Sequence, residues 1–325
     1  MPRDSRKEVA PLERSGVRKV FFVALGGEDW WTCQHVDAMR KIGWDPYLFL
    51  GPPERFLPEA KNFDPDLLFY FKHPQIVPEW IGELKEETGC RFVQFNGDHR
   101  FHIFPEIQNN RPYLDLLLIN NSAEVEYYKH LGFNCREWHL GVDPRIHRPY
   151  ETYEEYDVVF GGNLGRDLPM AEFRRRLIEE LDRYFKIAVA GAADLKRGRV
   201  FHFIRNEPDY CKFLSSGKIT IGVNHFNVPN YYTRRLWLCL AVGRLHLTFY
   251  IPNMERDFEK GIHLDWFFDV EEAVDMVGYY LSHDEERERI GRSGQNLVYE
   301  KHTWRCRYKK LDRMLKEVVC HVPDR

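Results

Sequence analysis

Three things are scarce in this sequence, and each scarcity removes a class of protein. Its seven cysteines (33, 90, 135, 211, 239, 306 and 320) are odd in number, widely scattered and without a C-x-x-C pair. Neither a disulfide framework nor a cysteine-type zinc site is expected, and a reducing compartment is. No stretch approaches the ~18 consecutive apolar residues that a membrane span requires. The N-terminal MPRDSRKEVAPLERSG is charged where a signal peptide would be apolar, so the expected location is cytoplasmic, with no membrane span.

A basic excess is missing as well. Against 50 Asp+Glu stand 47 Lys+Arg, a net charge of −3, which gives no global attraction for a polyanion or an anionic membrane. The short runs Arg174-Arg175-Arg176 and Lys196-Arg197-Gly198-Arg199 read as solvated helix or loop faces. No histidine pair has helical metal-ligand spacing with a carboxylate, and there is no G-x-S-x-G or catalytic cysteine motif. No metal site is expected, and acyl transfer is disfavoured.

What is present is an ordinary globular composition, 43% hydrophobic and 30% charged, over 325 residues, enough for two domains of ~150 residues each. Short apolar runs recur with helical segments between them: KVFFVAL (19–25), WDPYLFLG (44–51), DLLFYF (66–71), RFVQFN (91–96) and DLLLIN (115–120). Such runs are typical of buried parallel strands, so the alternation predicts a doubly wound α/β sheet. Its ligand crevice would lie at the carboxyl ends of the strands. Ser122 is placed to cap a helix over 123–130. After a Pro-rich, acidic break beginning at Gly141, the alternation restarts with YDVVF (156–160), KIAVA (186–190), ITIGV (219–223) and LHLTF (245–249). Asp269 with Glu272 reads as a capping box, and a final helix spans about 304–319.

The polar residues that follow these strands are the candidates for chemistry. Gly161-Gly162-x-x-Gly165-Arg166 lies between strand and helix, where backbone N–H groups favour a phosphate and Arg166 could pair with it. A glycine turn with a purely structural task fits the same residues, because no full dinucleotide fingerprint is present. Asp98 and His99 follow the fourth strand, and Glu28 and Asp29 the first; a carboxylate beside an imidazole can act as general base, although a satisfied turn aspartate and a partly exposed histidine are the commoner reason for such residues. Asn224 and His225 follow ITIGV and lead into NYYTRRLWLCLAVGRLHLT (230–248), where paired arginines abut an apolar helix.

From Tyr232 onward the chain is similar to the C-terminal half of GT-B glycosyltransferases, in particular the spore-maturation-type branch of the group-1-like enzymes. The likeness rests on TRRLWLCLAVGRLHLT, HLDWFFDVEEAVDMVGYYLSHDEERERIGRSGQ and HTWRCRYKKLDRML in that order. NNSAEVEYYKHLGF, HLGVDPRIHRP and YDVVFGGNLGRD extend it more loosely. The resemblance implies two doubly wound Rossmann-like domains facing a central cleft. Residues 1–150 would form the acceptor side and 151–302 the nucleotide-sugar side, with a helix at 303–325 packing back on the first.

It also implies transfer of a sugar from a nucleotide-sugar donor to an acceptor hydroxyl, with the donor as co-substrate and no further cofactor. By position, Gly161, Gly162, Arg166, His225, Asn230 and Arg235 would hold the donor, and Asp98 or His99 would orient or deprotonate the acceptor. The acceptor stays open between a glycan, a small molecule and a modified nucleic acid. One departure stands out: relatives carry a ribose-binding glutamate three residues after the arginine, and here that position is Leu238, with Asn230 where another glutamate often lies. Leucine accepts no hydrogen bond. A catalytically degenerate scaffold that only binds or regulates is therefore the alternative.

Overall fold

The computed structural model describes residues 18–24, 30–71, 76–99, 103–153, 155–164 and 168–319. The first half alternates β1 (Lys19–Val23), α1 (Trp30–Arg40), β2 (Asp45–Phe49), α2 (Phe56–Phe63), β3 (Leu67–Tyr70), α3 (Pro78–Thr88), β4 (Arg91–Asn96), α4 (Pro105–Asn110), β5 (Leu116–Ile119), α5 (Ser122–His130) and β6 (Cys135–Glu137). The second half runs β7 (Tyr156–Gly161), α6 (Ala171–Tyr184), β8 (Ile187–Ala190), β9 (Arg199–Phe201), α7 (Glu207–Ser215), β10 (Gly217–Gly222), α8 (Arg234–Ala241), β11 (Leu245–Phe249), β12 (Asp265–Phe267), α9 (Val270–Ser282), α10 (Asp284–Lys301) and α11 (Trp304–Val319).

Each half builds a six-stranded sheet, ordered β2-β1-β3-β4-β5-β6 and β12-β11-β10-β7-β8-β9, in which every pairing is parallel. Parallel strands need crossover helices on both faces, which explains why the central strands are apolar throughout: β3, β5 and β8 have no exposed residue. The expected doubly wound α/β sheet is thus present twice, once in each half.

Strand order reverses between β1 and β3 in one sheet and between β7 and β10 in the other. Ligand crevices open at such switch points. The carboxyl ends of the two sheets face one another, because the segment after β5 and the end of β6 bond to the loops after β10 and β11. Asn120 donates to the Tyr232 carbonyl (2.9 Å), Ser122 to Asn230 Oδ1 (2.8 Å), and Arg256 makes two bonds to Glu137 (2.8 and 2.6 Å). The cleft between the sheets is therefore lined by both halves.

Helix α11 packs against α1 of the first half. The Tyr308 hydroxyl lies 2.7 Å from His35 Nδ1 on α1, and Trp304 Nε1 donates to Gln34 Oε1 at 2.8 Å. Two details differ from expectation. The N-cap of α5 is Asn121, whose Oδ1 accepts from the Glu124 N–H at 2.8 Å, and Ser122 is the first helical residue. Asp269 caps α9 as read, its Oδ1 accepting from the Glu272 N–H at 2.7 Å, but the Glu272 carboxylate reaches one residue past the cap and accepts from the Phe268 N–H at 2.7 Å, so the reciprocal half of the capping box is shifted.

Candidate functional site

At the second switch point β7 ends in Gly161-Gly162 and β10 runs into Val223-Asn224-His225. Thr233, extended and hydrogen-bonded through Oγ1 to Asn224 Oδ1 (3.0 Å), starts α8, so Arg235 sits in its first turn with its side chain over the crevice. The Arg235 guanidinium spans the switch point: Nη1 donates to the Gly161 carbonyl at 2.5 Å and Nη2 to the Val223 carbonyl at 3.3 Å.

A second guanidinium meets it. Residues 171, 174, 177, 178 and 181 form the buried stripe of α6, which carries Arg174 completely out of solvent. Its Nη1 donates to the His225 ring, 2.6 Å from Nε2, while Nε and Nη2 have no hydrogen-bond partner. Burial, and then the neighbouring charge of Arg235, pull its pKa down to about 9, which still leaves it cationic near neutrality. Neither arginine makes an ion pair with a carboxylate among the described residues. A Cβ on Gly162 would run into Arg235 Nη1 and Arg174 Nη2, so only glycine lets both cations reach this turn. One buried and one part-buried cation, without a carboxylate partner among the described residues, beside a bare backbone turn form an arrangement that suits an anion. The reading of Arg174-Arg175-Arg176 as a solvated face holds for Arg175 and Arg176 and is corrected for Arg174.

The adjoining cavity, ~530 Å³, is walled by Gly161, Gly162, Phe203, Tyr210, Arg235 and Leu238. Glu207 and Arg234 also face it. Sequence reasoning missed Glu207, which opens α7 behind the Asn206 cap, whose side chain accepts from the Asp209 N–H at 3.2 Å. The buried carboxylate of Glu207 pairs with Arg234, accepts from Gln34 Nε2 (3.2 Å) and lies 2.7 Å from His147 Nε2. His147 Nδ1 accepts the Asp143 N–H at 2.9 Å, which fixes the tautomer with the proton on Nε2, donating to Glu207. Burial, and then Arg234, lower the pKa of His147 to about 3, in keeping with that neutral form. Arg234 in turn stacks over the Trp31 ring of α1 at 4.3 Å. The paired arginines of the sequence thus have separate places: Arg235 faces the Gly161-Gly162 turn, and Arg234 ties α8 to both halves.

Across the cleft, a ~260 Å³ cavity opens at the ends of β3 and β4, with Trp31, Phe71, Phe95, Phe104, Asp98 and Glu106 in its wall. Asp98 is exposed there. Glu106, in the first turn of α4, accepts from the Tyr70 hydroxyl at 2.6 Å. His99 points elsewhere: its Nδ1 lies 3.2 Å from Glu124 and its ring packs on Phe226 and Tyr231.

The structure therefore brings Gly161, Gly162 and Arg235 to one cavity, with His225 joined to them through Arg174, and puts Asp98 in the cavity opposite. Asn230 is not among them. With φ of 54° and 1% exposure, it accepts from Ser122 and donates to Tyr232 Oη, the Asn253 carbonyl and Asp257, a knot between the halves. Arg166, Glu28 and Asp29 lie outside the described residues. Among the described residues no cluster of three or more His, Cys, Asp or Glu side chains is arranged to hold a metal ion.

A family model described as "Glycosyl transferase-like" matches residues 172–313. The chain matches no curated protein. Solved structures with the same fold include HepE from Anabaena in complex with UDP and glucose, 10% identical with a TM-score of 0.65 over 92% of this chain and 100% of that one. T4 phage BGT in complex with its UDP-glucose substrate is 11% identical, with a TM-score of 0.62 over 92% and 99% of the two chains. Sucrose-phosphate synthase from Thermosynechococcus elongatus is 9% identical, with a TM-score of 0.64 over 93% and 99%.

Proposed function

We propose that this protein is a glycosyltransferase that moves a sugar from a nucleoside diphosphate sugar to an acceptor hydroxyl. The observation that carries the reading is the pair of cations, the buried Arg174 and the part-buried Arg235, converging on Gly162 with no carboxylate among the described residues to neutralise them. A diphosphate seated there has its charge met on one side. When the bond from the anomeric carbon to the phosphate oxygen breaks, the same two cations stabilise the charge on the leaving group. The acceptor oxygen forms the new bond to that carbon, and its proton passes to Asp98, the exposed carboxylate of the opposite cavity. Guanidinium groups do the leaving-group work in this scheme, so transfer proceeds without a metal ion.

UDP is the nucleotide of choice, in line with the ligands of HepE and T4 phage BGT. Leu238 presents an apolar wall where relatives hold a ribose, and Glu207 brings a carboxylate to the same cavity from α7. Within the glycosyltransferases the order of motifs from Tyr232 onward favours the spore-maturation-type branch. Cys33, Cys90, Cys135, Cys211, Cys239 and Cys306 are free thiols, which suits a cytoplasmic setting.

Thermal unfolding with UDP, other nucleoside diphosphates and their sugars tests the reading, since a ligand bound only to the native state raises Tm. UDP or a UDP-sugar is expected to raise Tm, and Arg174→Met or Arg235→Met to weaken binding roughly tenfold or more. Chelation with EDTA is expected to leave transfer intact. A protein that no nucleotide stabilises, or whose Arg235→Met variant responds like wild type, is a binding or regulatory scaffold instead.

A further inference from the structure

The two consecutive glycines that end β7 each lie under a polar side-chain tip. A Cβ on Gly162 would meet the guanidinium groups of Arg235 and Arg174, and a Cβ on Gly161 would run into the hydroxyl of Tyr210. The donor reading uses the two arginines and leaves Tyr210 unused. Tyr210 stands three residues after Glu207 on α7, so the two side chains share one face of that helix, and both line the donor cavity with Arg234 and Arg235 of α8. The two arginines are engaged differently. Arg234 closes an ion pair with Glu207, whereas Arg235 gives both Nη atoms to the Gly161 and Val223 carbonyls. The Tyr210 ring packs on the core, its centroid 6.2 Å from that of Phe213, and its hydroxyl has no hydrogen-bond partner among the described residues. Burial raises its pKa well above the ordinary phenol value against the opposing charges of Arg235 and Arg174, so the hydroxyl keeps its proton near neutrality.

From this we infer that Tyr210 is a third anion donor of the site, its hydroxyl donating to a phosphate oxygen of the bound nucleoside diphosphate beside the guanidinium groups of Arg174 and Arg235. The inference rests on reading this cavity as the diphosphate site, and it names a residue to which that reading gives no part. The three donors divide the work. Two guanidinium groups supply charge, which attracts any anion. A phenol on a ring anchored in the core has two side-chain torsions and supplies a donor of fixed place and direction. Among the described residues the hydroxyl lacks an acceptor and the two cations lack a counter-charge; a phosphate oxygen supplies both. As the bond from the anomeric carbon to the phosphate oxygen breaks, negative charge builds on the diphosphate and these hydrogen bonds strengthen, the phenol proton staying on Tyr210. Loss of the hydroxyl therefore leaves the charge of the site in place and removes its direction.

Isothermal titration calorimetry on the full chain tests this, with UDP, inorganic pyrophosphate and uridine as the probes. Tyr210→Phe keeps the ring against Phe213 and removes the O–H alone. It is expected to bind UDP and pyrophosphate about tenfold more weakly than wild type, the worth of a hydrogen bond to a charged group, and to bind uridine unchanged. Tyr210→3-fluorotyrosine keeps the hydroxyl and serves where Tyr210→Phe does not fold: its fluorine NMR signal is expected to shift when pyrophosphate alone is added. Equal UDP affinity in wild type and Tyr210→Phe overturns the inference and leaves the transferase reading standing. So does a loss for uridine as large as the loss for UDP, or a fluorine signal that saturating pyrophosphate does not move. Pyrophosphate binding that weakens in Tyr210→Phe, with no binding of UDP, upholds Tyr210 as an anion donor and removes the transferase reading. The two therefore fail separately.

Discussion

Gly162 has no room for a methyl group, because the atoms it would strike are the ends of Arg235 and Arg174. Those ends are flexible, so Gly162→Ala is expected to fold, losing no more than about 1–3 kcal/mol to overpacking. Its cost falls on the anion turn: with both guanidinium groups pushed aside, the UDP-induced rise in Tm is expected to shrink by the equivalent of tenfold or more in affinity. A variant that binds UDP like wild type would separate Gly162 from the phosphates. Half of this turn was legible in the sequence. Gly161, Gly162 and Arg235 follow strands or open a helix, where ligand positions are expected. Arg174 hid in a basic triplet, and only the period of 171, 174, 177, 178 and 181 places it on the apolar stripe. Glu207 had no signal, because its partners Gln34, His147 and Arg234 come from three distant segments.

At the scale of elements, α5 shows how one residue separates a cap from a contact. Asn121 closes the first turn through Oδ1, whereas the Ser122 hydroxyl leaves the helix and donates to Asn230 in the other half. Asn121→Ala is expected to cost about 1 kcal/mol, the ordinary worth of an N-cap, as read from urea unfolding. Ser122→Ala spares the cap and is expected to cost less. A larger loss for Ser122→Ala than for Asn121→Ala would reverse these roles. The strands that sequence reading overlooked share a feature: β6, β9 and β12 are three residues long and each lies at a sheet edge. Three residues carry too little period to be seen, and edge strands escape the double burial that makes the central ones apolar. Every longer strand announced itself by its apolar run.

The whole molecule is joined where the chain crosses between halves twice, and the two crossings bond to one another. The Val142 N–H donates to the His302 carbonyl (3.1 Å) and the Trp304 N–H to the Val142 carbonyl (3.0 Å), with Gly141 so close that a Cβ there would sit 2.8 Å from the Trp304 nitrogen. Around this joint and under the second sheet lie histidines kept neutral by burial. His147 is lowered to about 3 by desolvation and Arg234, His246 to about 3 by desolvation and then in part by Arg235, and His302 to about 2 by desolvation and Arg307. In an unfolded chain each titrates near ~6.5. Between that value and about 3 the unfolded state holds protons that the native state does not, so stability is whole above pH ~6.5 and is lost as pH falls through this window. By pH ~5.5 each of the three histidines has withdrawn about 1.4 kcal/mol, on the order of 4 kcal/mol together. That is a large share of the roughly 5–15 kcal/mol that holds a native protein. Urea unfolding at pH ~7.5 and ~5.5 is expected to show the loss as a lower midpoint at nearly constant m-value. Equal midpoints at the two pH values would mean that these imidazoles gain protons without cost, and that the joint is more open to water than its packing implies.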